Sequence, residues 1–450
     1  METICAISTA LSQGAISLIR ISGDKAIEIA DKIFRSFSGR KASEMEGHTC
    51  LYGKIYDKEQ SVDDVLLTVF RAPSSYTGED TVEISCHGGV FVTKKVLELV
   101  IRAGATQALA GEFTKRAFVN GKLDLTQAEA VMDIISSEGE RALGSANRMR
   151  DGAVYKKITS VRQELISLLS SLAAWADYPE EDLPDVEQER LKATIGKAND
   201  ELLALIKSYD DGLVFKEGVE TAIVGSPNVG KSSLMNYLLG FDRSIVTDIE
   251  GTTRDVIEET ARIGDITLKL CDTAGIRTTD DVVESIGVKR AKEKLEGARI
   301  VLAVFDASCS LCDEDKELLS ELNPQNTLVI LNKTDLERKL NQSDFSGFKA
   351  VEVSVTEQTG LDKLKEEILN LIGVTTASNE EVFASLRQKE CAQRASSLLG
   401  SALKAAEEGE TPDAVTVLLD EALSSLLELT GERATDTVVD EVFSRFCVGK

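Results

Sequence analysis

A glycine-rich octapeptide in the middle of the chain constrains its fold more than any other feature. Gly225-Ser226-Pro227-Asn228-Val229-Gly230-Lys231-Ser232 directly follows the apolar run Ala222–Val224 and precedes the apolar helical run Leu234–Leu238. Glycines allow the backbone N–H groups of such a loop to curl around phosphate oxygens, and the N-terminus of the next helix favours an anion. Lys231 adds a positive charge near the β- and γ-phosphates, and the Ser232 hydroxyl can ligate Mg²⁺. The pattern predicts a strand–loop–helix unit that binds a nucleoside triphosphate.

Three further motifs follow short apolar strands and specify the nucleotide. Asn332-Lys333-Thr334-Asp335 carries a carboxylate that can accept two hydrogen bonds from guanine, whereas adenine would leave that buried charge unpaired. Asp272-Thr273-Ala274-Gly275 offers an aspartate that can hold Mg²⁺ through water and a glycine N–H for the γ-phosphate. Ser354-Val355-Thr356 follows Val351–Val353, where a last loop would support the base. The four motifs in this order predict a guanine-nucleotide switch.

The pattern of apolar and polar residues changes three times along the sequence, and these changes predict the domain organisation. Residues 1–118 have the mixed pattern of an α+β domain, and residues 119–216 are helical. Residues 217–375 alternate helices with nearly all-apolar strands, which is typical of a parallel sheet covered on both faces. Residues 376–450 are helical again. We therefore predict a Ras-like P-loop GTPase domain inserted into a discontinuous helical domain, behind an α+β N-terminal domain.

Local patterns in the first domain predict individual elements. Alternation and β-forming residues indicate a strand over Ile16–Gly23 and a hairpin of Thr49–Tyr56 with Val62–Phe70. Helical periodicity indicates helices over Asp24–Phe34 and Val90–Arg102.

Composition excludes several classes of protein. Eight cysteines in 450 residues are too few for a disulfide scaffold, and the pair Cys309 and Cys312 has no second pair to complete a metal site. No apolar run reaches the roughly 18 residues that would span a membrane, and the first 19 residues contain no basic residue of a signal peptide. We therefore expect a cytoplasmic protein with reduced thiols and no membrane contact.

The charge is unevenly distributed along the chain. Its net value is −25, yet residues 1–118 contain 14 basic and 15 acidic residues and are nearly neutral. A domain that bound a polyanion through its overall field would be basic. If this chain handles nucleic acid, we expect it to use a local patch or a partner.

The expected catalytic glutamine is missing. Ras-like enzymes place a glutamine after the Asp-x-x-Gly motif to orient the attacking water, and here that position is Ile276. The amide of Asn228, with carbonyls from the Gly251–Asp255 segment, could instead hold a monovalent cation. The alternative is that Asn228 is simply a turn residue.

These motifs give the whole chain a specific resemblance to the MnmE (TrmE) family of tRNA-modification GTPases. Within the GTPase part, the matching segments are residues 227–233, 245–255, 272–277 and 283–287. Outside it, they are Ser75–Asp80, His87–Gly89, Gly111–Phe113, Asn120–Asp124 and Phe446–Lys450. Ribosome-assembly GTPases that depend on a cation share much of the first set but not the second.

The resemblance implies potassium-stimulated GTP hydrolysis that is triggered when two GTPase domains meet. It assigns K⁺ to Asn228, Thr247, Ile249 and Thr252, Mg²⁺ to Ser232 and Thr253, and the positioning of water to Glu284. With the motifs above, the expected GTP contacts are Asn228, Val229, Gly230, Lys231, Ser232, Ser233, Thr247, Asp248, Ile249, Glu250, Gly251, Thr252, Thr253, Asp272, Thr273, Ala274, Gly275, Asn332, Lys333, Asp335, Ser354, Val355 and Thr356.

The resemblance also implies a bound formyl- or methylene-tetrahydrofolate in the N-terminal domain. Carried over by motif, the contacting residues are Arg20, Glu83, Lys122 and the last residue, Lys450. A carboxylate can accept hydrogen bonds from the pterin amine and N–H, and a cation can pair with the glutamate tail. Cys447 could be a nucleophile or a packing thiol.

The function implied by the family is modification of tRNA. A homodimer would form a heterotetramer with an MnmG-family partner that uses FAD and NADH, and would add an aminomethyl or carboxymethylaminomethyl group to the wobble uridine of certain tRNAs. One alternative is a ribosome-assembly or translation GTPase that acts as a binding switch. A second is a folate enzyme that uses GTP only to regulate itself.

Overall fold

The structure is a computed structural model that describes residues 2–176, 185–240, 259–272, 297–373, 383 and 385–450. The chain packs into two compact units. The first comprises Met1–Ile135, Ala146–Ile206 and Phe383–Lys450, and the second comprises Ser136–Ser145 and Lys207–Val382. The predicted domain edges at 118, 216 and 375 remain predictions, because packing units need not coincide with domains.

A seven-stranded sheet forms the N-terminal part of the first unit. Its strands are β1 Ile4–Ile7, β2 Ile16–Ser22, β3 Phe34–Ser36, β4 Thr49–Asp57, β5 Gln60–Phe70, β6 Thr81–His87 and β7 Thr106–Gln107. The spatial order is β3-β4-β5-β6-β2-β1-β7, and only the β1–β7 pair is parallel. The predicted hairpin is confirmed as β4 and β5. The register of β2 on β6 places Arg20 opposite Glu83.

Two amphipathic helices supply the apolar residues that cover this sheet. They are α1 Ala26–Ile33 and α2 Val90–Arg102, and the predicted bounds of the second are confirmed. Ile29, Val96 and Val100 from the helices are buried in one cluster with Ile21 and Ile84 from the strands. Full burial of such a side chain contributes about 1.5–3 kcal/mol, so this cluster is a main source of the unit's stability.

Helices continue the chain after the sheet. They are α3 Glu112–Val119, α4 Leu125–Ile135, α5 Glu140–Arg150, α6 Ala153–Ala176 and α7 Asp185–Glu217. Leu165 and Leu172, two turns apart on α6, are buried. Glycine 152, with a φ of +82°, makes the turn between α5 and α6.

The second unit contains a six-stranded sheet. Its strands are β8 Val219–Val224, β9 Glu259–Ile263, β10 Ile266–Asp272, β11 Ile300–Asp306, β12 Thr327–Asn332 and β13 Lys349–Glu352, in the spatial order β13-β12-β11-β8-β10-β9. The pairs are parallel, as predicted, except that β9 is antiparallel to β10. The carboxyl ends of β8 and β12 lie at the same edge, which brings the loops that follow them together.

Helices complete both units. The second unit contains α8 Lys231–Leu239, α9 Asp313–Glu321 and α10 Leu361–Ile372, and the chain then returns to the first unit through α11 Leu386–Glu408, α12 Pro412–Thr430 and α13 Asp436–Ser444. Phe443 and Phe446 pack against Leu125 and so hold the C-terminal end near α4. Within the described residues, no helix is long and apolar enough to cross a membrane.

Candidate nucleotide and folate sites

The phosphate-loop motif forms a tight turn between β8 and α8. Gly225, Asn228 and Gly230 adopt φ values of +143°, +64° and +100°. A Cβ atom at Gly225 would lie 2.2 Å from the carbonyl oxygen of Val304, so only glycine fits there. The loop thereby keeps its backbone close to the neighbouring strand and ends at the first turn of α8, where N–H groups are free to meet an anion.

The lysine of this loop lies over the loop itself. Lys231 Nζ donates hydrogen bonds of 2.8 Å to the carbonyl oxygens of Gly225 and Ser226. Ser226 is held in turn by its hydroxyl, which donates a 2.6 Å hydrogen bond to Asp315 Oδ1. The ammonium is therefore positioned above the curled backbone, where phosphate oxygens would meet it.

A buried asparagine joins the phosphate loop to the loops that follow β12 and β13. Asn332 is only 3% exposed, and its Nδ2 donates a 2.9 Å hydrogen bond to the Val229 carbonyl. Its Oδ1 accepts a 3.3 Å hydrogen bond from the Val355 N–H. A Cβ at Gly230 would lie 2.1 Å from Asn332 Nδ2, so this close approach requires glycine.

The proposed base-reading carboxylate is held by the last of the four motifs. Asp335 is exposed, and its Oδ1 accepts a 2.5 Å hydrogen bond from the Ser354 hydroxyl. Lys333, with a φ of +62°, donates a 2.6 Å hydrogen bond to Asp306 Oδ2. Burial raises the pKa of the Asp306 carboxyl, but hydrogen bonds from Lys333 and Ser308 outweigh it and hold that pKa below its usual range.

Several predicted GTP and metal residues lie outside the described part of the chain. They are Thr247, Asp248, Ile249, Glu250, Gly251, Thr252, Thr253, Thr273, Ala274, Gly275 and Glu284. Asp272 ends β10, but its side chain is likewise not described. Ser232 and Ser233 begin α8 beside Lys231, and Thr356 is exposed just after Ser354.

Two of the predicted folate residues form an ion pair. Arg20 Nε and a terminal guanidinium nitrogen each lie 2.8 Å from Glu83 Oε1, and both side chains are largely buried. The Arg20 guanidinium is 5.7 Å from the centre of the Tyr76 ring and 5.6 Å from that of Phe113. The pair thus lies between two aromatic rings that could hold a flat heterocycle.

The C-terminal tail reaches this cluster. The Phe113 N–H donates a 3.2 Å hydrogen bond to the Lys450 carbonyl, and the Gly111 N–H donates a 3.4 Å hydrogen bond to that of Cys447. The Ser8 hydroxyl donates a 3.0 Å hydrogen bond to the Gly449 carbonyl. Cys447 is exposed, so a packing role for its thiol is not supported.

Lys122 lies on a neighbouring loop. Its Nζ donates a 3.1 Å hydrogen bond to the Pro73 carbonyl. The same loop is fixed by Asn120, whose Nδ2 donates a 2.7 Å hydrogen bond to the Thr77 carbonyl. The structure therefore brings Arg20 directly to Glu83, whereas the contacts of Lys122 lead to the segment that carries Tyr76.

Sequence reasoning missed a buried charged group behind Tyr76. Arg116 is 5% exposed and pairs with Glu79 at 3.0 Å and with Glu112 at 2.9 Å. Glu79 also accepts a 2.8 Å hydrogen bond from the Ser22 hydroxyl. The acids lie in segments that carry the family resemblance, but nothing in the sequence indicates that they share one arginine. Among the described residues, no cluster of three His, Cys, Asp or Glu side chains could hold a metal ion.

Comparison with known proteins covers the whole chain. The family model of the TrmE N-terminus, described as a GTP-binding protein, matches residues 3–122, and that of the MnmE helical domain matches residues 125–447. Among solved structures, the G domain of the T. maritima FeoB iron transporter is 26% identical, covers 34% of this chain and 96% of its own, and has a TM-score of 0.26.

Curated relatives carry one description, tRNA modification GTPase MnmE. The protein of Thermoanaerobacter pseudethanolicus is 43% identical, and the alignment covers 100% of this chain and 99% of the relative. The proteins of Clostridioides difficile and Lactobacillus acidophilus are 41% and 40% identical over 100% of this chain and 99% and 98% of their own. The chain therefore belongs to the MnmE family of tRNA modification GTPases.

Proposed function

We propose that this chain hydrolyses GTP in a potassium-dependent reaction that gates the modification of the wobble uridine of certain tRNAs. It acts as a homodimer in the cytoplasm, with an FAD- and NADH-using partner of the MnmG family. Together they add a carboxymethylaminomethyl or aminomethyl group. Formyl- or methylene-tetrahydrofolate, bound by this chain, supplies the one-carbon unit.

The proposal rests mainly on the contact that the C-terminal tail makes with Phe113, beside the Arg20–Glu83 pair. Lys450 is 367 positions after Glu83 in the sequence, yet its carbonyl is bonded to Phe113, whose ring faces Arg20. A GTPase that acted only as a switch would have no need of this arrangement. A carboxylate, a guanidinium and two aromatic rings can bind a pterin, and a lysine on the adjoining tail can pair with its anionic glutamate.

Within that cluster each residue has a separate task. Glu83 would accept hydrogen bonds from the pterin amine and N–H, and Arg20 would orient that carboxylate. Lys122 and Lys450 would pair with the anionic glutamate tail. The buried Arg116 holds the segment of Tyr76 through Glu79 and so supports the wall of the pocket.

At the nucleotide site, the described residues bind and orient GTP. We infer that Lys231 exchanges its two loop carbonyls for phosphate oxygens when GTP binds, so the cost of desolvating the ammonium is already partly met. Asp335, oriented by Ser354, would accept the guanine N1–H and amine. Asn332 would couple the loop of Val355, which lies beside the base, to the phosphate loop, because its side chain hydrogen-bonds to Val355 and to Val229.

The metal and water roles rest on the family resemblance. Mg²⁺ would take Ser232 and Thr253, K⁺ would take Asn228, Thr247, Ile249 and Thr252, and Glu284 would position the attacking water. The left-handed turn at Asn228 by itself accounts for an asparagine there. The sequence adds one argument, because Ile276 cannot orient water and another group must.

The test is a nucleoside profile of tRNA from cells that lack this chain. We expect the aminomethyl-type wobble uridines to be lost and to return with the wild-type chain. Glu83→Gln should not restore them, although its potassium-stimulated GTPase activity should remain. An unchanged profile in cells without the chain would refute the proposal and favour the ribosome-assembly alternative.

A further inference from the structure

A cluster of cations surrounds the turn between α5 and α6. Arg148, Arg150, Lys156 and Lys157 are all exposed, and Asp151 is the one acid among residues 148–157. Since a helix rises 1.5 Å per residue, all four lie within about 8 Å of the turn along the two helix axes. We call these four residues the basic elbow.

Not all of the charged side chains in the basic elbow are paired with other residues of the chain. Arg150 is paired with Asp151 at 3.0 Å. The side chains of Arg148 and Lys156 have no ion pair or hydrogen bond to any residue that the structure describes. A second basic stretch, residues 32–41, differs in this respect, because Lys32 pairs with Glu28 and Arg35 with Glu59.

The helix dipole accounts for only two of the four cations in the basic elbow. Arg148 and Arg150 lie in the last turn of α5, where cations are favoured by the helix dipole. Lys156 and Lys157 lie close to the start of α6, where the dipole disfavours cations. The helix dipole therefore does not account for these two lysines, and an anion outside the chain would offset the repulsion at Lys156.

The basic elbow lies next to the loop of Lys122. Gln127 Nε2 donates a 2.8 Å hydrogen bond to the Arg150 carbonyl, and its side-chain oxygen accepts a 3.0 Å hydrogen bond from the Asp124 N–H. A Cβ at Gly152 would lie 3.4 Å from Gln127 Nε2. Asp124 is two residues after Lys122, so a few bonded residues connect the elbow to the proposed folate pocket.

We propose that the basic elbow binds the phosphate backbone of the substrate tRNA and so presents the wobble base to the folate pocket. The proposal rests on the proposed function, which supplies the identity of the substrate. A-form RNA is recognised mainly through its shape and phosphates, for which exposed lysine and arginine side chains suffice. An acidic chain that binds RNA needs either a local patch of this kind or a partner that supplies the charge.

The experiment measures binding of an unmodified tRNA transcript with uridine at the wobble position. The full-length chain, alone and with its flavin partner, is compared with the variant Arg148→Gln/Lys156→Gln. The matched control is Lys94→Gln/Lys363→Gln, which removes two exposed cations elsewhere that also lack a described partner. Fluorescence anisotropy over a range of KCl concentrations gives both affinity and salt dependence.

At about 100 mM salt we expect the elbow variant to bind tRNA at least tenfold more weakly, and the slope of log K against log salt to fall by about 2, roughly one unit per lost contact. The control should change less than twofold, and GTP hydrolysis and folate binding should be unaffected in both. Unchanged affinity and slope would overturn the proposal, as would a wild-type chain that binds no tRNA. Loss of partner binding with normal tRNA affinity would identify the elbow as a protein contact and also overturn it.

The two proposals fail in distinguishable ways. If the proposed function is wrong, the wobble uridines persist in cells without the chain, whatever the elbow binds. If only the elbow proposal is wrong, those uridines are lost in such cells but Arg148→Gln/Lys156→Gln restores them fully.

Discussion

A single methyl group at Gly449 should separate folate binding from GTP hydrolysis. Gly449 adopts a φ of +98°, and a Cβ there would lie 2.4 Å from the Ile7 carbonyl oxygen and 3.0 Å from Ser8 Cα. These are backbone atoms of the strand end and cannot rotate away. Gly449→Ala must therefore displace the tail that carries Lys450.

The size of the effect follows from the contacts that hold the tail. The tail makes three hydrogen bonds, to the Ser8 hydroxyl and to the N–H groups of Gly111 and Phe113. At about 0.5–1.5 kcal/mol each, their loss amounts to roughly 1.5–4.5 kcal/mol. Loss of a charge-assisted contact from Lys450 to the folate would be worth about 1.5–3 kcal/mol. We therefore expect folate affinity to fall at least about tenfold.

The matched control is Gly347→Ala. Gly347 has a φ of +95°, but no atom lies within 4 Å of the position of its Cβ. It therefore reports the strain of a left-handed alanine, about 1–2 kcal/mol, without a clash. Both variants should hydrolyse GTP, and only Gly449→Ala should lose affinity for 5-formyltetrahydrofolate by calorimetry and speed hydrogen exchange at the Phe113 amide. Wild-type affinity and exchange in Gly449→Ala would refute the assignment of the tail to the pocket.

Four other outcomes test the sites. Lys231→Ala should abolish GTP binding in a nucleotide-binding assay. Asp335→Asn should weaken GTP and admit xanthosine triphosphate, and an unchanged preference for guanine would contradict the base-reading role. Asn332→Ala should leave the buried Val229 carbonyl unpaired, at about 1–3 kcal/mol, and the part-buried Val355 N–H unpaired at a smaller cost, and should lower both GDP affinity and thermal stability. Iodoacetamide at pH 8 should label the exposed Cys447 quickly and Cys5 very slowly. Burial raises the pKa of the Cys5 thiol to about 12, so about one Cys5 side chain in ten thousand is a thiolate at that pH. Equal labelling of the two cysteines in the native chain would contradict the burial of Cys5.

The sequence predicts local elements well because their signals are local. The helix Val90–Arg102, the β4–β5 hairpin and the strand before the phosphate loop follow from periodicity, β-forming residues and an apolar run, each within one segment. Strand β9 escaped prediction because it is short, and its exposed and half-buried positions weaken the apolar signal. Its antiparallel pairing also departs from the parallel pattern of the sheet.

The site residues also differ in whether a local sequence pattern could identify them. The phosphate loop is one continuous segment, so its residues could be identified from their spacing. The bond between Asn332 and Val229, the burial of Arg116 and the tail at Phe113 join segments that are far apart in the sequence. Such contacts depend on how the elements pack, and periodicity carries no information about them. The family resemblance identified Lys450, but only the packing indicates what the lysine meets.

The acidity of the chain and its proposed RNA substrate are compatible because charge acts over a limited distance. At physiological ionic strength the Debye length is about 8 Å, so a phosphate at the surface responds mainly to charges within that range. The four cations of the basic elbow lie within about 8 Å of their turn along the helix axes, and their segment contains one acid, Asp151. Lowering the salt concentration lengthens the Debye length. The repulsion between the other acids and the RNA then increases together with the attraction between the basic elbow and the phosphates. The acids should therefore make the low-salt gain in tRNA affinity smaller than that of a basic protein with the same contacts.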